Sequence, residues 1–243
     1  MFDQQKNDFY KKLCYVGGIL SITSYIIFLI IAWILFPNPA TPLDHWLSDL
    51  GRYFVPNDGG PVWRWVGGEW ITYIEDGVGS QYNMGAIFYN LGCIIAGISM
   101  MIFFIGFFAY KNKVDKAFKI ITNILIALGI IGGIGLILIG IFAEDGILFF
   151  IYNENLAYTV HHNATIIFFL ILMIIKIFSG YWAWKLKLNP FISVFAWVII
   201  IFDIIVVFTG NNFAIVEWLS VLTSLGLVGI IDIGLFFRDK QEL

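Results

Sequence analysis

Six stretches of the chain are nearly unbroken apolar runs: Leu13–Phe36, Asn83–Tyr110, Phe118–Ala143, Leu156–Tyr181, Phe191–Thr209 and Phe213–Phe237. A helix rises about 1.5 Å per residue, so roughly 20 such residues cross about 30 Å of hydrocarbon. The pattern therefore predicts six membrane-spanning helices. The first run is too long for a signal-peptide core and no small-residue cleavage site follows it, so it is expected to persist as a helix. There is no internal repeat and no low-complexity tract.

Between the first two runs lies a long polar and aromatic segment, Pro37–Tyr82, with tryptophans at positions 46, 63, 65 and 70. Within it, Val62–Val66 and Glu69–Ile74 flank Gly67-Gly68. Two glycines between β-prone runs are a hairpin signal, because the tight turn that fits strand twist needs positive φ at both positions. A turn there places Trp65 opposite Trp70, a cross-strand pair that stabilises small hairpins.

Composition agrees with the pattern. The chain of 243 residues is 60% hydrophobic and only 13% charged, with a net charge of −3 and a mean hydropathy of +0.86. Soluble domains run about 45–50% apolar and about 25% charged. A cytosolic enzyme, a disordered chain and a nucleic-acid binder are thereby excluded, and two cysteines exclude a disulfide scaffold or a cysteine-based zinc site. Basic residues set orientation. Counting Lys176 with Lys185 and Lys187, 12 of the 14 fall on one side of the alternating crossings. The opposite connections hold Arg52 and Arg64 against nine carboxylates, at positions 44, 49, 58, 69, 75, 76, 144, 145 and 154. The expected protein is a single domain, residues 1–243. It is an all-α integral membrane protein of the cell membrane, a bundle of six transmembrane helices with an external β-hairpin in the first external loop. Both termini are expected in the cytoplasm.

An ionisable side chain in hydrocarbon costs at least about 2.5–3.5 kcal/mol at the helix centre, so each one asks for a reason. The third run has none; its glycines, with Gly129 and Gly133 at small-xxx-small spacing, predict close helix packing. Asp203 lies about six residues short of the outer end of the fifth run, with apolar helical neighbours, and must face the bundle. Glu217 opens the sixth, followed at helical spacing by Ser220 and Ser224. Asp232, near the inner end, is expected to be satisfied by snorkelling or by Arg238. His161 and His162 open the fourth run, with Thr165 one turn on, and Asn83 and Asn90 mark the outer half of the second. Adjacent histidines point about 100° apart, so at most one faces inward. These residues, with Ser48, Asp49, Glu144 and Asp145 just above, predict one polar pocket in the outer half, roofed by the tryptophan-rich segment. In particular His162, Asp203 and Glu217 are expected to converge, with His161 as the fallback for His162. The short turn at Gly210–Asn212 makes the fifth and sixth helices antiparallel neighbours.

Such a pocket, at headgroup depth and rimmed by tryptophans and acids, suits a lipid headgroup or a small cation, and membrane lipids are the expected partners. The alternative is a membrane-embedded hydrolase or transferase acting on lipids, with His162, Asp203 and Glu217 as ligands of a zinc ion that activates water. A transporter is the third reading, disfavoured by the absence of inverted repeats and of matched broken helices. No HExxH helix, nucleophile elbow or phosphate-binding loop is present. The sequon Asn163-Ala164-Thr165 falls inside a helix.

The motifs Leu47-Ser48-Asp49-Leu50-Gly51, Asn83-Met84-Gly85-Ala86-Ile87-Phe88-Tyr89-Asn90-Leu91-Gly92 and Gly140-Ile141-Phe142-Ala143-Glu144-Asp145, with the histidine of the fourth run and Glu217, resemble a prokaryotic six-helix group. The chain looks like a member of the domain-of-unknown-function 998 family, similar in general plan to Frag/DRAM-like membrane proteins. The resemblance spans nearly the whole chain. It implies a six-helix bundle and a shared outer-face polar site, with Ser48, Asp49, Asn90, Asp145, His161 or His162, and Glu217 at matching positions. It implies no reaction. Against that family, residues from about Pro56 to Gly79 look like an insertion, and Ala143 stands where a proline is usual.

Overall fold

A computed structural model describes residues 2–148, 154–209 and 213–241. Six helices form the bundle: α1 (Phe2–Leu35), α2 (Ala86–Gly106), α3 (Lys116–Ile141), α4 (Glu154–Lys185), α5 (Pro190–Thr209) and α6 (Ala214–Gln241). All six are long and apolar enough to cross a membrane. Each apolar run holds one of them. The boundaries move where polar residues extend or stop a helix. Thus α1 begins at Phe2, α4 continues to Lys185 and α6 to Gln241, while α3 stops at Ile141. The turn expected at Gly210–Asn212 lies outside the described residues.

Successive helices pack against one another in chain order and α6 returns to α1, so the bundle closes on itself; α4 also touches α6. Glycine sets the closest approach. A Cβ on Gly133 would strike the Gly97 carbonyl and the Met101 side chain, and one on Gly129 would enter the Phe104 ring. The α2–α3 seam is therefore the small-residue packing that the third run announced. Beneath it, Trp182 stacks on Phe107 at 4.2 Å and donates from Nε1 to Thr122 Oγ1 at 2.9 Å. Outward-facing positions are apolar and exposed, for example Ile27 and Ile34 on α1, Leu170 on α4, and Val198 and Ile205 on α5. A surface of that kind, continued round a bundle, is what a hydrocarbon surrounding would suit.

At the chain-termini end, Asp239 Oδ2 accepts from Tyr15 Oη (2.7 Å), Tyr110 Oη (2.9 Å) and Lys11 Nζ (2.8 Å). This ties α6 to α1 and to the segment after α2. Asp232 is buried against Gly18 of α1, and its Oδ1 has no hydrogen-bond partner among the described residues.

The other end carries the α1–α2 connection. Here β2 (Trp63–Val66) and β3 (Glu69–Thr72) pair antiparallel, with Trp65 opposite Trp70 and their rings 5.4 Å apart. Gly67 and Gly68 take φ of 62° and 95°, as the two-residue turn requires. The hairpin and its register match the sequence reading. Two further ladders do not appear in that reading. β1 (Phe54–Pro56) pairs with β4 (Ser80–Tyr82), forming a stem that closes the segment between them with Pro56 opposite Ser80. β5 (Phe142–Ala143) pairs with β6 (Gly146–Ile147) and replaces the last two residues expected of the third helix.

Candidate functional site

The hairpin-end halves of α4, α5 and α6 enclose a cavity of about 530 Å³. Trp46, Trp63 and Trp70 line it from the α1–α2 connection, and Phe169, Met173, Val206, Val207 and Val216 give it apolar walls. Its polar lining is Ser48, Glu144, His161, His162, Thr165, Asp203, Glu217 and Ser220. His162, Asp203 and Glu217 thus line one cavity, roofed in part by tryptophans. Tyr158, His162 and Val207 on its rim are exposed, so the cavity opens between α4 and α5.

Three carboxylates face this space in different electrostatic states. Glu144 accepts from Arg52 Nη1 at 2.5 Å. Asp203, buried in the apolar middle of α5, accepts from Lys176 Nζ at 2.5 Å through Oδ2 and from Ser220 Oγ at 3.1 Å through Oδ1. Glu217 receives only neutral donors, the Ser48 amide and hydroxyl, both 3.3 Å from Oε2, and the Leu47 amide. Among the described residues no cation pairs with Glu217.

The partner of Asp203 is the main correction. His162 does not fill that place; it points outward and stacks on Tyr158 at 5.8 Å. Lys176 does, at 1% exposure inside α4, so it is not one of the loop cations that set orientation. The signal was present in the sequence, since a lysine inside an apolar run needs a buried counter-ion as much as an aspartate does. Removing Lys176 from the 12 leaves 11 basic residues at the chain-termini end against Arg52 and Arg64 at the other.

Of the adjacent histidines, His161 is the buried one. Its Nδ1 lies 2.7 Å from the Phe142 carbonyl, an atom that can only accept, so Nδ1 carries a proton. Nε2 then faces Glu144 Oε1 at 3.9 Å.

Three expected pocket residues hold the frame and do not line the cavity. Asn90 donates from Nδ2 to the Gly51 carbonyl at 3.0 Å. Asp49 accepts from the Trp46 amide at 2.9 Å and caps the 3₁₀ turn Leu47–Gly51. Burial and the Glu144 carboxylate push its own carboxyl well above the usual range, against the pull of Arg52. Asp145 accepts the amides of Tyr53 and Phe54 at 3.0 and 2.7 Å; burial raises it too, opposed by Arg52 and by those two amides. Asn83 is another framing residue, donating from Nδ2 to the Leu50 and Arg52 carbonyls.

The zinc set proposed from the sequence, His162, Asp203 and Glu217, is not brought together as ligands. Both Asp203 oxygens are engaged and His162 stacks at the rim. Among the described residues no group of three or more His, Cys, Asp or Glu side chains is placed to hold a metal ion. No family model matches the sequence, no curated protein is similar to it and no solved structure matches its fold.

Proposed function

We propose that the chain is a multi-pass protein of the cell membrane, with the hairpin end outside and both termini in the cytoplasm, and that it binds an amphiphile with a cationic headgroup. Kinship with the domain-of-unknown-function 998 group belongs to the same proposal and rests on the motifs at Leu47–Gly51, Asn83–Gly92 and Gly140–Asp145. The orientation rests on the distribution of lysine and arginine, 11 at one end and two at the other.

The single observation that carries the ligand class is Glu217. Arg52 and Lys176 balance the other two cavity acids, whereas Glu217 has only hydroxyl and amide donors, so the cavity holds one acid without a counter-ion, which an entering cation would keep ionised. A carboxylate in low dielectric attracts a cation far more strongly than it would in water. The apolar wall on α4 and α5 offers a place for a hydrocarbon chain, and the gap between those helices faces the hydrocarbon. Tryptophans at the mouth suit headgroup depth, where an indole keeps one edge wet.

Native mass spectrometry of the detergent-extracted protein tests this. The wild type is expected to retain an amine- or choline-bearing lipid after mild delipidation, and Glu217→Gln to retain it at least ten-fold less. Retention of anionic lipids alone, or of no lipid, overturns the proposal.

A further inference from the structure

The Lys176–Asp203 pair divides the cavity from a second space. Asp203 lines the upper cavity with Ser220. Lys176 approaches from beneath, lining a void of about 30 Å³ with Ser179 and Ser224. The Ser179 hydroxyl is fully buried and has no hydrogen-bond partner. An orphan hydroxyl one helical turn from a lysine, beside empty space, is a hydrogen-bond partner open to that lysine in a second position. The Lys176 side chain is itself a primary ammonium on a short apolar chain, held by a carboxylate that the cavity can reach.

We infer that Asp203 is a subsite for primary alkylammonium ligands, that Lys176 occupies it when the cavity is empty, and that an incoming primary amine displaces Lys176 onto Ser179 with release of one proton. This deepens the cationic-amphiphile reading and rests on it.

The proton follows from the surroundings. Among the described residues the only charged group beside Lys176 is Asp203 on α5. The void adds the hydroxyls of Ser179, of Ser224 on α6 and of Tyr25 on α1, while α2 and α3 present only Met100, Phe104 and Leu136. An ammonium without its carboxylate is not stable there, whereas a neutral amine accepting from Ser179 is. The exchange balances. The ligand ammonium takes Asp203, Lys176 gives one proton to water through the cavity, and the net charge of the site is unchanged. No covalent bond forms other than that proton transfer.

Calorimetric titration of the full chain in lipid nanodiscs, in buffers of different ionisation enthalpy, counts the protons. Dodecylammonium is expected to release about one proton per ligand. Dodecyltrimethylammonium, which has no N–H to donate to Asp203, is expected to release none and to bind at least ten-fold more weakly. Lys176→Met, which leaves no resident ammonium to displace, is expected to tighten dodecylammonium at least ten-fold. Should that variant not fold, Ser179→Ala serves instead, with binding weakened several-fold because the displaced amine loses the hydroxyl that donates to it. Equal binding of the two probes without proton release overturns this inference and leaves the cavity reading standing, as does an affinity unchanged within two-fold in the variants. Failure of both probes to bind the wild type overturns both.

Discussion

Asp145 and Phe54 lie 91 positions apart, yet the Phe54 amide donates to Asp145 Oδ2 at 2.7 Å, while the Tyr53 amide donates to Oδ1 of the same carboxylate at 3.0 Å. One side chain thus fastens the long α1–α2 connection to the turn between α3 and α4. Arg52 beside it reaches Glu144 on the same turn. These two connections supply part of the cavity wall, Trp46, Ser48, Trp63, Trp70 and Glu144, so its shape depends on a joint outside it.

Asp145→Ala leaves two amides without an acceptor in a buried place. Each orphaned group costs about 1–3 kcal/mol, so the variant is expected to lose roughly 2–6 kcal/mol. Chemical denaturation of the detergent-solubilised protein measures the loss. Asp145→Asn, which keeps one acceptor oxygen, is expected to lose about half as much. A loss under about 0.5 kcal/mol for the alanine variant contradicts the joint.

The α2–α3 seam yields a second expectation. Gly133 meets the Gly97 carbonyl where any Cβ would sit. Gly133→Leu forces the helices apart and is expected to lower stability by at least about 1–3 kcal/mol, the usual range for overpacking. Gly226→Ala is the control, since a Cβ there meets only the far edge of Phe195 at 4.0 Å. The control is expected to melt within a degree or two of wild type.

How much of this was legible depends on the length of the signal. Six apolar runs give six helices because crossing hydrocarbon leaves few alternatives. The hairpin register was readable since two glycines fix the turn, and the turn fixes the pairing. The stem of β1 and β4 spans three residues each, and β5 and β6 two each, too short for any periodicity to show. For the cavity, depth along each helix was readable but helical phase was not. Asp203, Glu217, His161 and His162 line the same cavity, at depths the sequence spacing gives. Phase decided that His161 turns inward, that His162 stacks on Tyr158, and that Asn90 bonds the Gly51 backbone and does not face the cavity. Lys176 was misread because it was counted as a loop cation, although it sits inside an apolar run.

A pH dependence follows from His45. Its ring lies edge-on to Phe36 at 5.7 Å, in the connection whose backbone accepts the Trp218 indole N–H at 2.9 Å. Burial holds the imidazole below its ordinary value of 6.5, so the folded chain resists protonating it. Above that value His45 is neutral in both states and contributes no pH dependence. As the pH falls through 6.5 the unfolded chain takes up the proton first, and stability declines until the folded state is protonated too. The fall in melting temperature between about pH 7.5 and about pH 5.5 is therefore expected to be smaller in His45→Gln than in wild type. An equal fall in the two proteins removes His45 as a source.

The orientation is the most direct expectation to check. With Lys176 removed from the count, 11 basic residues still lie at the chain-termini end, concentrated in the α1 arm, the α2–α3 connection, the end of α4 and the tail of α6. Lysine and arginine in short connections remain on the cytoplasmic side during insertion. Both native cysteines, Cys14 and Cys93, are buried, so an introduced thiol reports alone. Glu69→Cys lies at the exposed start of β3, and Val114→Cys in the α2–α3 connection, where the native side chain is 43% exposed. In intact cells a membrane-impermeant maleimide is expected to label the first and spare the second, and permeabilisation is expected to expose the second. The reverse pattern inverts the protein and puts the cavity in the inner half of the membrane. Its amphiphile would then come from the cytoplasmic leaflet.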